Sequence, residues 1–73
     1  MTTTTFDDAV VAFLDEIQTR LSEAVRIAKA AQACAHAGSP AEAVTVSMDI
    51  EQLIYEAGRL HDAASLLNRI SRG

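Results

Sequence analysis

The segment Ala37-Gly38-Ser39-Pro40-Ala41-Glu42 decides the fold of this chain, because it ends one helix and begins another within a few residues. Glycine readily adopts the left-handed backbone conformation in which helices end. A serine followed three residues later by a glutamate predicts a capping box, and a proline at the first helical position agrees with it. We therefore expect a tight turn at residues 38–39.

Helical signals extend from this turn in both directions. Thr5 is a suitable N-cap for the first helix. Asp7 and Asp8 follow in what would be its first turn, where acidic groups favour the positive end of the helix dipole. We expect a disordered tail over 1–5 and a helical hairpin over 6–73, with helix 1 over about 6–37 and helix 2 over about 40–71.

Apolar residues recur in alternating steps of three and four along both helices, which is the spacing of helices that pack side by side. When the chain folds back at Gly38, the two seams align without a slip. Most layers then place a large residue against an alanine, as Leu21 against Ala57. The predicted hairpin core comprises Val10, Leu14, Ile17, Leu21, Ala24, Ala28, Ala31, Ala43, Val46, Ile50, Leu53, Ala57, Leu60, Ala64 and Leu67.

Residues beside the seams agree with this register. Arg20 falls beside Glu56, and Val25 falls beside Ile54. Acidic residues are concentrated in the first half of each helix and basic residues in the second half. Each half therefore faces the opposite charge on the neighbouring antiparallel helix.

The short length predicts association with further helices. A chain of 73 residues buries only about 60 % of its unfolded surface, so a lone core is marginal. Cys34 is the single cysteine and cannot form an internal disulfide, and two histidines add too little for a closed zinc site. The predicted fold class is therefore all-α, an antiparallel two-helix hairpin that dimerises into a four-helix bundle. Its candidate association surface comprises Val11, Phe13, Val25, Ile27, Met48, Ile54, Tyr55, Leu66 and Ile70.

Charge and hydropathy exclude several kinds of partner. The net charge of −4 opposes nucleic acid as the main partner, because that binding uses clustered lysine and arginine. No apolar run approaches the ~18 residues of a membrane span. The first residues also lack the basic and apolar regions of a signal peptide. We expect a cytoplasmic protein with no membrane partner.

Two resemblances add specific expectations. The alternation of alanine with leucine in a capped hairpin resembles the core of the repressor of primer family of plasmid copy-number regulators, which implies a dimeric four-helix bundle and RNA binding. His61-Asp62 on a bundle helix is similar to the phosphoacceptor segment of histidine-kinase dimerisation domains. That similarity implies phosphotransfer through His61.

The remaining candidate residues have structural interpretations. Cys34 and His36 point about 200° apart on a helix, which opposes joint metal ligation. His61 is interpreted as a boundary residue that bonds to Gln18 or to a carboxylate. Gly58 costs about 0.8 to 1 kcal/mol in mid-helix and indicates either a close partner helix or a tolerated surface glycine. We predict no catalytic, cofactor-binding or metal-binding residues.

These observations favour a small non-catalytic interaction module, an adaptor or regulator that self-associates as a helical bundle. The alternative is a hetero-oligomeric subunit or co-chaperone that pairs with the helices of another protein. Phosphotransfer through His61 and RNA binding are two further hypotheses.

Overall fold

Two antiparallel helices form the protein, in a computed structural model that describes the backbone of residues 2–72 and side chains from Thr5 onward. Helix α1 runs over Thr2–His36 and helix α2 over Pro40–Ser71. The two helices pack against each other in a rod with extents of 56 × 14 × 11 Å. The prediction of an all-helical hairpin is confirmed.

The turn between the helices is a Schellman motif. Gly38 has a φ of +98°, the left-handed conformation that glycine adopts without strain. The Gly38 N–H donates to the Ala35 carbonyl at 3.0 Å, and the Ser39 N–H donates to the Cys34 carbonyl at 3.1 Å. These two hydrogen bonds define the motif and satisfy carbonyls that the helix end leaves free.

Ser39 occupies the N-cap position of α2 and Pro40 follows it, but the Ser39 side chain makes no capping hydrogen bond. The predicted capping box is therefore wrong. In such a box the side chain of Glu42 would accept the Ser39 N–H. That N–H is already donated to the Cys34 carbonyl, because the Schellman motif and the start of α2 share one residue.

Helix α1 begins four residues before its predicted start. Thr5 lies inside α1, so over residues 2–5 the structure has helix where the sequence indicated a tail. Met1 lies outside the described residues. A threonine costs at most about 0.7 kcal/mol relative to alanine in a helix. A short threonine run can therefore extend a helix whose later turns are held by packing.

Among the described residues, only alanines are buried, and the larger residues between the helices are half-buried. The buried residues are 6 to 9 % exposed, and no side chain from Thr5 to Arg72 is less than 2 % exposed. Two helices share a single line of contact, so every large side chain keeps one side in solvent. The buried residues are Ala24, Ala31, Ala43, Ala57 and Ala64.

Helix α1 turns a different set of residues toward α2 from the one predicted. Leu14 and Leu21 are 49 % and 44 % exposed, whereas Phe13 and Ile27 are half-buried against α2. Val10 begins a series of positions spaced seven residues apart along α1. The residues that follow these positions by three are largely apolar, and so are the residues that follow them by four. The heptad pattern is therefore satisfied by either set, and the observed rotation buries the larger Phe13 and Ile27.

Candidate functional site

This rotation of α1 gives the hairpin two unlike flanks. Successive helical residues turn by 100°, so Leu14 lies about 40° to one side of Val10 and Phe13 about 60° to the other. Along α2, Ile54 and Glu56 lie on opposite sides of the line that contacts α1. The apolar flank is defined as Val11, Leu14, Leu21 and Val25 of α1 with Ile54 of α2. The ion-pair flank is defined as Glu16, Arg20, Glu23 and Arg26 of α1 with Glu56 of α2.

Arg20 and Glu56 connect the two helices on the ion-pair flank. The Arg20 Nε donates to Glu56 Oε1 at 3.1 Å. Arg20 also pairs with Glu16, one turn earlier on its own helix. The Gln52 Nε2 donates to the other carboxylate oxygen of Glu56 at 3.0 Å. This cross-helix pair is the one that the sequence register predicted.

Hydrogen bonding shifts the pKa of both partners. The Gln52 amide, followed by the Arg20 guanidinium, holds the pKa of Glu56 below its ordinary value of 4.5, while partial desolvation opposes this effect. The bond to Glu16, with a smaller contribution from Glu56, raises the pKa of Arg20 above its ordinary value. Both groups therefore stay charged at neutral pH.

The apolar flank differs from the ion-pair flank in its lack of charge. Its five residues are between 44 % and 56 % exposed. The two outward columns of α1 on this side contain no Asp, Glu, Lys or Arg, and the matching columns of α2 contain one, Glu51. The columns of α1 are Val11, Leu14, Gln18, Leu21, Val25, Ala28, Gln32 and Ala35; those of α2 are Val44, Ser47, Glu51, Ile54, Gly58, His61, Ser65 and Asn68.

The outer side of α2 has a second exposed set of apolar residues. Met48 and Tyr55 are exposed and border an open depression together with Glu51 and Gln52. A Cβ at Gly58 would meet no atom within 4 Å, so packing within the chain does not require a glycine at this position.

The side chains that could react or bind a metal do not lie together in the described part of the chain. His61 is exposed and makes no hydrogen bond or ion pair with the described part of the chain. The predicted bond to Gln18 is wrong, because Gln18 Nε2 donates to Ser22 Oγ at 3.0 Å instead. Cys34 is half-buried, and its thiol points to the Ser39 carbonyl at 3.5 Å. Over residues 2–72, no three His, Cys, Asp or Glu side chains form a group that could hold a metal ion.

The structure divides the predicted core into three sets. Five of its six alanines, at positions 24, 31, 43, 57 and 64, are buried, and Val10, Ile17, Ile50, Leu53, Leu60 and Leu67 are half-buried. Leu14, Leu21, Ala28 and Val46 are exposed.

The predicted association surface also divides. Phe13 and Ile27 lie in the seam between the helices, as the rotation of α1 requires. The other seven are exposed: Val11, Val25, Met48, Ile54, Tyr55, Leu66 and Ile70. Sequence reasoning missed Leu14 and Leu21 as surface residues. The predicted contact of Arg20 with Glu56 was the signal that could have found them, because it requires the column of Arg20 to face α2.

Comparison with known proteins finds no family model, no curated protein and no solved structure that matches this chain. Neither α1 nor α2, over the residues described, contains a stretch apolar enough to cross a membrane. The class defined by the fold is therefore a two-helix hairpin, and its function has to be argued from its surfaces.

Proposed function

We propose that this chain is a small non-catalytic protein-protein interaction module, an adaptor or regulator, that self-associates as a helical bundle. The observation that carries the proposal is the small size of the side chains that the hairpin buries. Within residues 5–72, five alanines are buried, whereas eleven large apolar residues are at least 41 % exposed. Full burial of a leucine or isoleucine side chain is worth about 1.5 to 3 kcal/mol. A partner that covers several of these side chains therefore supplies the stabilisation that the hairpin lacks.

A second copy of the chain suits this requirement. Each helix is richer in acidic residues in its first half and in basic residues in its second half. Antiparallel packing of a helix from a second copy then opposes unlike charges along the whole rod. Two hairpins packed in this way form a four-helix bundle.

A role as a hetero-oligomeric subunit or co-chaperone is the alternative, and one observation favours it. Met48 and Tyr55 are 64 % and 61 % exposed on the outer side of α2, away from the apolar flank. A dimer that uses the apolar flank leaves these two side chains available to the helices of another protein.

Sedimentation equilibrium combined with circular dichroism tests the proposal. At micromolar concentration we expect a mass of two chains, high helicity, and a melting temperature that rises with chain concentration. A monomer with the same helicity at every concentration would contradict self-association. Helicity that develops only after another protein is added would favour the alternative.

A further inference from the structure

The geometry points to a specific dimer: a second copy of the chain packs on the apolar flank with its turn at the opposite end of the rod, so that Leu21 and Ile54 lie on the two-fold axis. This inference rests on the proposed self-association. It adds the face that is used, the direction of the second copy and the residues that meet.

The choice of face follows from charge. The ion pairs of the described chain all belong to the ion-pair flank: Arg20 with Glu16, Arg20 with Glu56, and Arg26 with Glu23. Covering that flank would desolvate charged groups that solvent now stabilises. The apolar flank can be covered at little such cost, because its outward columns carry one carboxylate in all, that of Glu51.

The area of the face is sufficient for a stable dimer. The rod is 56 Å long and 14 Å wide, so one broad side offers on the order of 800 Å² to a partner, which is the standard size per partner of a stable interface. The apolar flank extends along such a side.

The direction of the second copy follows from side-chain size. In α1 the bulky residues of the flank lie at mid-rod and toward the chain end, as Leu14 and Leu21 do, whereas Ala28 lies toward the turn. In α2, Ser47 lies at the height of Ala28. If both turns were at the same end, Ala28 would meet Ser47 and leave unfilled space, and Leu14 would be placed against His61.

Reversal of the second copy removes this mismatch. Leu14 and Ala28 are each seven residues from Leu21, so a two-fold axis at Leu21 places Leu14 of one copy on Ala28 of the other. Ser47 and His61 are likewise each seven residues from Ile54. The hairpin register places Leu21 and Ile54 at nearly the same height, because Arg20 bonds to Glu56 beside them. One axis therefore satisfies both helices, with large residues opposed to small ones on either side of it.

Charge is compatible with the same arrangement. In the reversed dimer, α1 lies antiparallel to α1 of the second copy. The acidic half that contains Asp15 then lies beside the basic half that contains Lys29. Both ends of the interface gain unlike charges at the rim of the apolar contact.

Disulfide trapping tests the axis. In a Cys34→Ser background, which removes the native thiol, we introduce either Leu21→Cys or Ile54→Cys. A residue on a two-fold axis meets its own copy, and a disulfide needs Cβ atoms only about 3.5 to 4.5 Å apart. We expect each variant alone to form a covalent dimer under mild oxidation. Met48→Cys in the same background is the matched control and stays uncrosslinked, because Met48 lies on the outer side of α2.

The other outcomes are distinct. A disulfide that forms only when the Leu21→Cys and Ile54→Cys chains are mixed would place α1 on α2 of the second copy. That result would overturn the reversed direction. A dimeric Cys34→Ser chain in which neither variant crosslinks, while circular dichroism shows intact helices, would overturn the choice of face. A monomeric wild-type chain in sedimentation would instead be a failure of the proposed function.

Discussion

Positions 38 and 58 are both glycine, but only the backbone at Gly38 requires one. A Cβ at either position would meet no atom within 4 Å, so space does not distinguish them. Only Gly38 has a positive φ, because it terminates α1 and supplies an N–H to the Schellman motif. Gly58 lies in the middle of α2, where glycine weakens a helix. The difference between the two positions is therefore one of backbone conformation alone.

At the scale of single residues, this contrast predicts that alanine substitutions at the two glycines change the free energy of unfolding in opposite directions. Gly38→Ala should lower the free energy of unfolding by about 1 to 2 kcal/mol, because a Cβ is strained in the left-handed conformation. Gly58→Ala should raise it by about 0.8 to 1 kcal/mol through helix propensity. Urea denaturation followed by circular dichroism measures both at one chain concentration. Equal effects of the two substitutions would contradict the assignment of the turn to Gly38.

At the scale of the element, the two helices differ in how fully their sequence determines their packing. Along α2 the predicted seam faces α1 at Ile50, Leu53, Leu60 and Leu67, and only Val46 is exposed. Along α1 two adjacent columns are apolar, so the pattern determined that a seam exists but left its angular position open. The turn position could be predicted from local signals, and the bond between Arg20 and Glu56 could be predicted from the register of the two seams. The rotation of α1 depends on how whole side chains fit against α2, which spacing along the chain does not contain.

The hydrogen bonds that Gln52 and Arg20 donate to Glu56 give a pH prediction at this scale. The folded chain holds the pKa of Glu56 below 4.5. The stabilisation that ionised Glu56 gives the hairpin is therefore fully present when the pH is above the pKa of Glu56 in the unfolded chain. It is lost as the pH falls through the pKa of Glu56 in the folded chain. At pH 7, Glu56→Gln should lower the melting temperature of the hairpin. As the pH falls through the folded pKa of Glu56, the difference in melting temperature between the wild-type and variant chains should shrink.

Thermal melts at a series of pH values, at fixed chain concentration, measure this convergence. Asp62→Asn is the control, because Asp62 is exposed and makes no ion pair with the described part of the chain. It should leave the difference between neutral and acidic melts unchanged. A Glu56→Gln difference that persisted undiminished to the most acidic melt of the series would indicate a loss of packing in place of a loss of charge pairing.

For the whole molecule, the main property is the contrast between a small core and a large exposed apolar area. The described residues bury alanines at the centre and leave leucines, valines and isoleucines on the apolar flank. The sequence indicated an excess of apolar residues, but it assigned Leu14 and Leu21 to the core of a single hairpin. The structure assigns them to its surface, and this strengthens the case for association, because the uncovered side chains lie on one flank whose outward columns contain a single carboxylate, that of Glu51.

Charge substitution on this flank makes a prediction for the assembly. Leu21→Glu should weaken dimerisation by roughly tenfold or more, because it removes a buried leucine from each copy and places two carboxylates together at the axis. Met48→Glu introduces the same side chain at a position that is more exposed in the hairpin, and it should leave the dimer intact. Sedimentation velocity over a dilution series compares the two. Equal dissociation by both variants would show that the added charge itself, and not the site, is responsible.

The antiparallel course of α1 and α2 also determines where attached domains would be held. The start of α1 and the end of α2 share one end of a rod 56 Å long. In the reversed dimer each copy contributes its pair of chain ends to the opposite pole. Domains fused to either chain end of the two copies would then be held about one rod length apart. The dimer would act as a rigid spacer between two identical domains.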